Sequence, residues 1–377
     1  MASFTSYSTK KGKRWRVDYY DTNHIKHTKR GFTTKSDAQH WHAQYIVDFE
    51  RTGYNQNDKI TYAKVYERYF IEDFKRSHRD STSLKTMGYF KHYILPSFGN
   101  SPISKITSEM CQKAVYQWAE RFKYVNKIGQ YAAQIFKIAI KHHLIHENPM
   151  RPEMITYPRR KPTDPPKGYD SKTAQLFQAA LIDMYKEEKP CAFTFIWLLL
   201  HTGLRKGEVL ALQWQDINYE NHYIRVRKGA TRNLQNKLVV GSTKNESSKR
   251  KVPVDPETLQ ILKRWESIAR AELSLNSRVQ WQGQSQLLFT NPEGGVMNPS
   301  RPNKWINNLT QKYQLPHVTP HELRHTYGTL LIEINKPVTE VAALLGHSSV
   351  ETTMKNYIDI HSATSSNAAN DLADFLR

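Results

Sequence analysis

The sequence predicts a multidomain fold: a small α+β N-terminal domain, an all-α second domain, and a mainly α final domain with a small antiparallel sheet. Three observations lead to this prediction. Two basic segments near the N-terminus alternate like strands, a helical pattern runs from 60 to 148, and prolines and basic residues crowd 151–168. A length of 377 residues also favours two or three domains. Hydrophobic residues make up 38% of the chain, so global disorder is not expected.

The first domain is predicted to span residues 1–55. Strand-like alternation over 15–20 and 26–32, with a polar turn between them, indicates a hairpin, and apolar residues at helical spacing indicate a helix over 34–51. A basic two-stranded ribbon fits a DNA groove, and a merely solvated hairpin explains the same residues equally well. The residues expected to contact DNA here are Lys13, Arg14, Arg16, Lys29 and Arg30.

The remaining boundaries follow from helical periodicity and from proline content. A second domain over 56–150 is predicted to hold helices near 62–74, 83–93, 108–122 and 127–143. Residues 151–168 are predicted to form an extended linker, whose Arg159, Arg160 and Lys161 would run along DNA. The final domain, 169–377, is predicted to be helical, with strands near 223–227, 238–240 and 251–254.

Charge and cysteine content narrow the class of protein. A formal charge of +20 and a pI of about 9.7 favour a polyanionic partner, most commonly nucleic acid. The two cysteines, Cys111 and Cys191, are too few for a disulfide framework or a cysteine-based zinc site. No stretch approaches the roughly 18 apolar residues of a membrane helix, and the first residues lack a signal-peptide pattern. We therefore expect a cytoplasmic protein with no membrane partner.

Two segments of the final domain carry candidate catalytic residues. In the first, Gly203 is predicted to end an apolar helix, and Arg205 and Glu208 can then meet on one face of the next helix. A surface ion pair is the simpler explanation of those two residues alone. In the second, Thr319 with Glu322 forms a capping box around Pro320, which specifies a helix start. The side chains near the positive end of that helix, a suitable place for a phosphate, are His321 and Arg324.

A third segment follows about twenty residues later. Gly346 is suited to end a helix, and Ser348 with Glu351 forms another capping box. This would place His347 in a tight joint before a helix that carries Tyr357. Taken alone, a histidine in a turn and a tyrosine on a helix are more often packing residues than catalytic ones.

The segment from His321 to His325 also matches the H-E-x-x-H pattern of zinc hydrolases. However, Leu331 stands where one extended form of that pattern has a third histidine. Arg324 would also place a cation beside the metal, and the large basic surplus would have no use. These observations weigh against a zinc site, although the spacing alone does not exclude a distant glutamate ligand such as Glu340 or Glu351.

Taken together, Thr-Gly-Leu-Arg, His-x-Leu-Arg-His-Thr, Leu-Gly-His and a tyrosine ten residues after that histidine resemble the tyrosine recombinase (phage integrase) family. The resemblance runs from about 170 to 362. It implies that Arg205, His321, Arg324 and His347 bind the scissile phosphate, with Tyr357 as nucleophile and Glu208 orienting Arg205. It also implies a lysine general acid in a hairpin. Residues 243–253 assign that role to Lys244, with Lys249 and Lys251 as nearby alternatives.

The resemblance further implies site-specific recombination through a 3′-phosphotyrosine intermediate, with neither ATP nor metal. The basic N-terminal segment resembles the arm-site-binding domain of mobile-element integrases, and the helical domain resembles a core-site-binding domain. Implied partners are double-stranded DNA with core and arm sites, a homotetramer on two DNA sites, an excisionase and a DNA-bending host protein. The alternatives are a chromosome-dimer resolvase, a type IB topoisomerase, a transcription factor that only binds DNA, and the zinc hydrolase considered above.

Overall fold

The computed structural model describes residues 2–9, 12–20, 26–52, 60–158, 168–242, 249–275, 280–347, 349–351 and 354. Two compact units, Met1–Arg160 and Lys161–Arg377, make up the chain. The multidomain fold class, with small antiparallel sheets beside mainly helical units, is confirmed. None of the helices in these ranges is both long and apolar enough to cross a membrane.

The N-terminal residues form a three-stranded antiparallel sheet with one helix across it. Its elements are β1 (Ser3–Thr9), β2 (Gly12–Tyr20), β3 (Lys26–Phe32) and α1 (Lys35–Thr52), with strand order β1-β2-β3. The sequence indicated β2, β3 and α1 but not β1. Val17 and Tyr19 are buried under the helix, where the Tyr19 ring lies 4.6 Å from that of Tyr45. Asp37 begins the helix by accepting from the backbone N–H of Thr34 at 3.0 Å.

The rest of the first unit is helical, as its periodicity predicts. The helices are α2 (Tyr62–Tyr69), α3 (Ile71–Ser77), α4 (Asp80–Tyr89), a π-helical turn (Phe90–Ile94), α5 (Leu95–Phe98), α6 (Ser108–Arg121) and α7 (Val125–Lys141). One apolar core joins them, with Phe90, Ile128 and Phe136 fully buried. Ile155 belongs to the same core, and Gln112 holds the backbone of Thr156. Part of the segment assigned by composition to the linker, around Ile155 and Thr156, is therefore held against this helical core.

The second unit is built around a single apolar helix. Its helices are α8 (Ser171–Tyr185), α9 (Pro190–Thr202), α10 (Lys206–Val209), α11 (Pro256–Ser274), α12 (Ser300–Lys312), α13 (Pro320–Glu333) and α14 (Val338–Leu345). Residues 192–200 of α9 are all buried, because α8, α11, α12 and α13 pack around it. The apolar helix that Gly203 was predicted to end is thus the central core helix of this unit.

Two small antiparallel sheets lie between α10 and α11. Strands β4 (Ile217–Asn218), β5 (Tyr223–Val226) and β8 (Arg250–Pro253) pair in the order β4-β5-β8, and β6 (Lys228–Arg232) pairs with β7 (Leu238–Ser242). The pairing aligns Val226 with Arg250 and Ile224 with Val252. Because side chains alternate along a strand, Arg250 points to the same side as the buried Val252.

Candidate active site

Arg205 is held by the joint between α9 and α10. Gly203 ends α9 in a left-handed conformation (φ +60°), and a Cβ there would meet the Tyr327 ring at 2.4 Å. Glu208 then accepts from the Arg205 backbone N–H at 2.9 Å and from its Nη1 at 2.8 Å. The Arg205 side chain is 39% exposed whereas that of Glu208 is 5% exposed. The predicted pair therefore exists, and its acid is buried rather than on the surface.

Glu208 is shared between two arginines. Besides Arg205, it binds the fork of Arg250, with Nη1 at 3.2 Å from Oε1 and Nη2 at 3.0 Å from Oε2. Burial alone would raise the pKa of Glu208. The hydrogen bonds and charge of Arg250, together with the backbone N–H and charge of Arg205, outweigh burial and lower that pKa. Glu208 is therefore ionised at neutral pH and fixes both guanidinium groups.

Helix α13 begins with the predicted capping box. Glu322 accepts from the Thr319 backbone N–H at 2.7 Å, and the Thr319 hydroxyl accepts from the Glu322 N–H at 3.3 Å. His321 therefore lies in the first turn, where the positive end of the helix favours an anion. Arg324 lies one turn further and is buried, donating Nη1 to the Gly203 carbonyl at 2.8 Å.

Arg205, Arg250 and Arg324 all contact the C-terminal end of α14. Gly346 takes the left-handed conformation (φ +65°) that ends the helix, as predicted, and His347 follows it. Three consecutive backbone carbonyls at this end each accept from a different arginine. The pairs are Leu344 with Arg250 Nε at 2.6 Å, Leu345 with Arg324 Nη2, and Gly346 with Arg205 Nη2 at 3.1 Å. The structure thus brings Arg205, Arg324 and the backbone that carries His347 to one point.

Three histidines in this region share one electrostatic environment. Burial, then the charges of Arg324 and Arg205, lower the pKa of His321. Burial and the same arginines lower the pKa of His347 to about 4, with smaller effects of His325 and Arg250. Burial, and then His321, lower the pKa of His325 to about 4, and its ring lies 4.7 Å from that of His321. All three rings are therefore neutral at pH 7, so His321 is able to accept a proton.

Several predicted residues lie outside the described ranges. They are the nucleophile Tyr357, the general acid Lys244, Ser348 of the second capping box, and the linker residues Arg159, Arg160 and Lys161. The alternative general acid Lys251 is described: its Nζ lies 4.7 Å from the centroid of the Tyr223 ring. As for the zinc interpretation, the described residues contain no group of three histidine, cysteine or acidic side chains placed to hold a metal.

The N-terminal sheet divides the predicted DNA contacts between its two faces. Val17 and Tyr19 face α1, so alternation puts Arg14 and Arg16 on the open face. Arg30 joins them there because it pairs with Arg16 across the strands. Lys29 instead pairs with Val17 on the helix side, where its Nζ lies 5.6 Å from the Trp41 ring centroid. Lys13 also belongs to the helix side, with its Nζ 5.7 Å from the Trp15 ring centroid.

Arg250 is the residue of this site that sequence reasoning missed. It stands between Lys249 and Lys251, the two alternative candidates for the general acid. The available signal was the alternation in β8, since Arg250 shares its face with the apolar Val252. A basic residue on a buried strand face needs an acidic partner, and here that partner is Glu208.

Comparison with known proteins agrees with this geometry. Residues 171–364, more than half of the chain, match the phage integrase family, 61–119 match the phage integrase N-terminal SAM-like domain, and 5–49 match an arm DNA-binding domain. A XerC-like tyrosine recombinase of Caldanaerobacter subterraneus subsp. tengcongensis is 26% identical, over 90% of both chains. The ICEBs1 integrase of Bacillus subtilis is also 26% identical, over 86% of this chain and 79% of that one.

A solved structure shares the fold. The integrase of transposon Tn1549, in complex with transposon right-end DNA, superposes with a TM-score of 0.64 at 21% identity, covering 82% of this chain and all of that one. The family match covers the segment that holds Arg205, Glu208, His321, Arg324 and His347. The chain therefore belongs to the phage integrase family: it is a tyrosine recombinase, an enzyme that cleaves and rejoins DNA strands.

Proposed function

We propose that this recombinase integrates and excises a mobile element by holding the scissile phosphate between Arg205, Arg324, His321 and His347. The observation that carries the proposal is the convergence of both arginines on adjacent carbonyls at the end of α14. Arginine is always charged and offers a fixed fork of N–H donors, which suits the nonbridging oxygens of a phosphodiester. Two such groups neutralise the charge that grows on these oxygens during attack.

Tyr357 is the proposed nucleophile. Its hydroxyl oxygen attacks phosphorus, the bond from phosphorus to the 5′-oxygen breaks, and a 3′-phosphotyrosine forms. A phenol with a pKa near 10 must lose its proton during attack, and neutral His321 accepts it. Lys244 gives the departing 5′-oxygen its proton. The new phosphodiester conserves the bond energy, so a 5′-hydroxyl from another strand reverses the step without ATP.

We assign the domains roles along DNA. Residues 1–55 bind arm sites, 56–150 bind the core site together with the linker 151–168, and 169–377 cut and rejoin the strands. Recombination requires four strand exchanges, so the active assembly is a homotetramer on two DNA sites, helped by an excisionase and a DNA-bending host protein. The match of 5–49 to an arm DNA-binding domain favours a mobile-element integrase over a chromosome-dimer resolvase. The protein acts in the bacterial cytoplasm, on nucleoid DNA.

A strand-exchange assay tests this function against its alternatives. The preferred duplex is first selected with the full-length protein, and two such sites are then placed on separate DNA molecules. We expect recombinant products in buffer that contains chelator and lacks ATP. Relaxation of supercoils without selected sites or joined partners would instead indicate a type IB topoisomerase. Specific binding without any strand cleavage would indicate a transcription factor.

Arm-site binding is expected to depend on the open face of the N-terminal sheet. Arg16→Ala is expected to weaken binding of a selected arm duplex on the order of tenfold, since it removes a cation from the proposed DNA-binding face, where Arg16 lies 3.7 Å from the carboxylate of Asp18. Its matched control is Lys29→Ala, which removes one positive charge from the opposite face, beside Trp41. Titrations at several salt concentrations measure both affinities. Equal losses for the two variants would contradict the assignment of faces.

The pKa of His347 predicts how stability depends on pH without DNA. Because its folded-state pKa is about 4 against an ordinary 6.5, the unfolded chain binds a proton between these values that the folded chain does not. Stability from this group is full above pH 6.5 and is lost as the pH falls toward 4. We expect thermal unfolding to show a smaller loss over this window for His347→Gln than for wild type. The exposed His317 is the control, and His317→Gln is expected to follow wild type.

A further inference from the structure

Three arginines share the end of α14, but the proposed function uses only two. Carbonyls at the C-terminus of a helix carry partial negative charge and have no partner within the helix, so cations stabilise them. Arg205 and Arg324 meet the carbonyls of Gly346 and Leu345. The third arginine, Arg250, meets the carbonyl of Leu344 at 2.6 Å and has no part in phosphate binding as proposed above.

The surroundings of Arg250 differ from those of a phosphate-binding residue. Its side chain is 7% exposed, and all three guanidinium nitrogens have protein partners: Nε meets Leu344, and Nη1 and Nη2 meet the two oxygens of Glu208. It also lies against the turn, since a Cβ on Gly346 would come within 3.0 Å of its Nη1. Arg250 thus joins the acid that holds Arg205 to the turn that precedes His347.

We propose that Arg250 is a positioning residue for DNA cleavage: it fixes Glu208, and through it Arg205, and it fixes the turn that presents His347. This inference rests on the proposed function. The neighbouring Lys251 does not share the role, because its side chain lies on the opposite face of β8 and is exposed. Arg250 therefore acts through other residues rather than on the phosphate.

The expected effect follows from the geometry of the guanidinium fork. Arg250→Lys keeps the positive charge beside Glu208 but replaces three directed donors by one compact ammonium group. Arg205 and the turn before His347 are then held in place less precisely. A shift of about 1 Å in a catalytic group can slow a reaction on the order of 100-fold. We expect the single-turnover cleavage rate to fall about 10- to 100-fold, with core-site affinity within about twofold of wild type.

The experiment uses the full-length protein and a nicked suicide duplex of the selected core site. Affinity, cleavage rate at saturating enzyme, and thermal unfolding are measured for wild type and Arg250→Lys. The matched control is Arg227→Lys, because Arg227 also binds a buried acid of this unit, donating Nε to Asp216 at 3.1 Å, outside the site. We expect this control to cleave within about twofold of wild type. If Arg250→Lys and Arg227→Lys slowed cleavage equally, the loss would reflect general destabilisation of the unit, and the inference would be overturned.

A double-mutant cycle separates positioning from mere packing. Because Arg250 acts largely through Glu208, adding Arg250→Lys to the Glu208→Gln variant is expected to slow cleavage by no more than about a further threefold. A further loss as large as that caused by Arg250→Lys in the wild type would show that Arg250 does not act through Glu208. The double variant Glu208→Gln with Arg250→Gln removes the buried charges together, which keeps a folded reference if Arg250→Lys fails to fold. We expect it to cleave within about threefold of Glu208→Gln alone, because the contact between Arg250 and the Leu344 carbonyl is lost as well. If the wild type cleaves and Arg250→Lys cleaves equally fast, the inference about Arg250 is refuted and the proposed function stands. If the wild type itself forms no adduct, the proposed function is refuted.

Discussion

Replacing Tyr357 by phenylalanine is expected to abolish the covalent adduct between protein and DNA while core-site affinity stays within about twofold of wild type. Only the phenolic oxygen forms the bond to phosphorus, so its loss removes the chemical step rather than slowing it. Phenylalanine keeps the aromatic ring, so the substitution removes the hydroxyl group alone. The measurement is a denaturing gel of nicked suicide duplexes after incubation without divalent metal, where an adduct migrates with the protein.

The matched control for this experiment is Tyr223→Phe. The hydrogen bond from Arg225 at 3.1 Å is the largest of the influences that lower the pKa of Tyr223, which makes it a chemically plausible competing nucleophile. We expect Tyr223→Phe to form adduct as wild type does. Adduct formation by Tyr357→Phe together with its loss in Tyr223→Phe would move the nucleophile to β5 and overturn the proposed site.

The parts of the site that the sequence predicted correctly depend on interactions between residues close in the chain. The Thr319–Glu322 capping box joins residues three apart, and the Arg205–Glu208 pair has the same spacing. Gly203 and Gly346 are predictable as helix ends because the left-handed conformation that ends a helix favours glycine. Such rules need no knowledge of the rest of the fold, which is why the helix ends around the site were predictable.

The parts that the sequence did not predict depend on residues far apart in the chain. Glu208 accepts hydrogen bonds from Arg250, which is 42 residues away in the chain. No rule based on neighbouring residues predicts that Arg250, rather than the lysines beside it, makes this contact. Similarly, β1 is a short strand rich in serine and threonine whose place is fixed by pairing with β2. The division of Arg16 and Lys29 between two faces required the register of β2 with β3, since a shift by one residue would exchange the faces.

Removing Arg205 or Arg324 is expected to slow cleavage on the order of 10²- to 10³-fold each, because each supplies a charged donor to the transition state. Their effects on stability should differ. The Arg205 side chain is 39% exposed, Glu208 keeps Arg250 as a partner, and one carbonyl, that of Gly346, loses a donor. Arg205→Ala is therefore expected to cost about 1 kcal/mol of unfolding free energy. The measurements are single-turnover cleavage of bound suicide duplex and chemical denaturation.

Arg324 is only 2% exposed, and its removal takes a donor from two buried carbonyls, those of Gly203 and Leu345. Arg324→Ala is therefore expected to cost on the order of 2–3 kcal/mol in addition to its loss of cleavage. Arg264→Ala, which breaks an exposed pair with Glu187, should change neither property. Near-normal cleavage by Arg205→Ala would remove it from the phosphate site. If Arg324→Ala were as stable as Arg205→Ala, the hydrogen bonds from Arg324 to the backbone would not stabilise the fold, and the role of Arg324 would be limited to binding the phosphate.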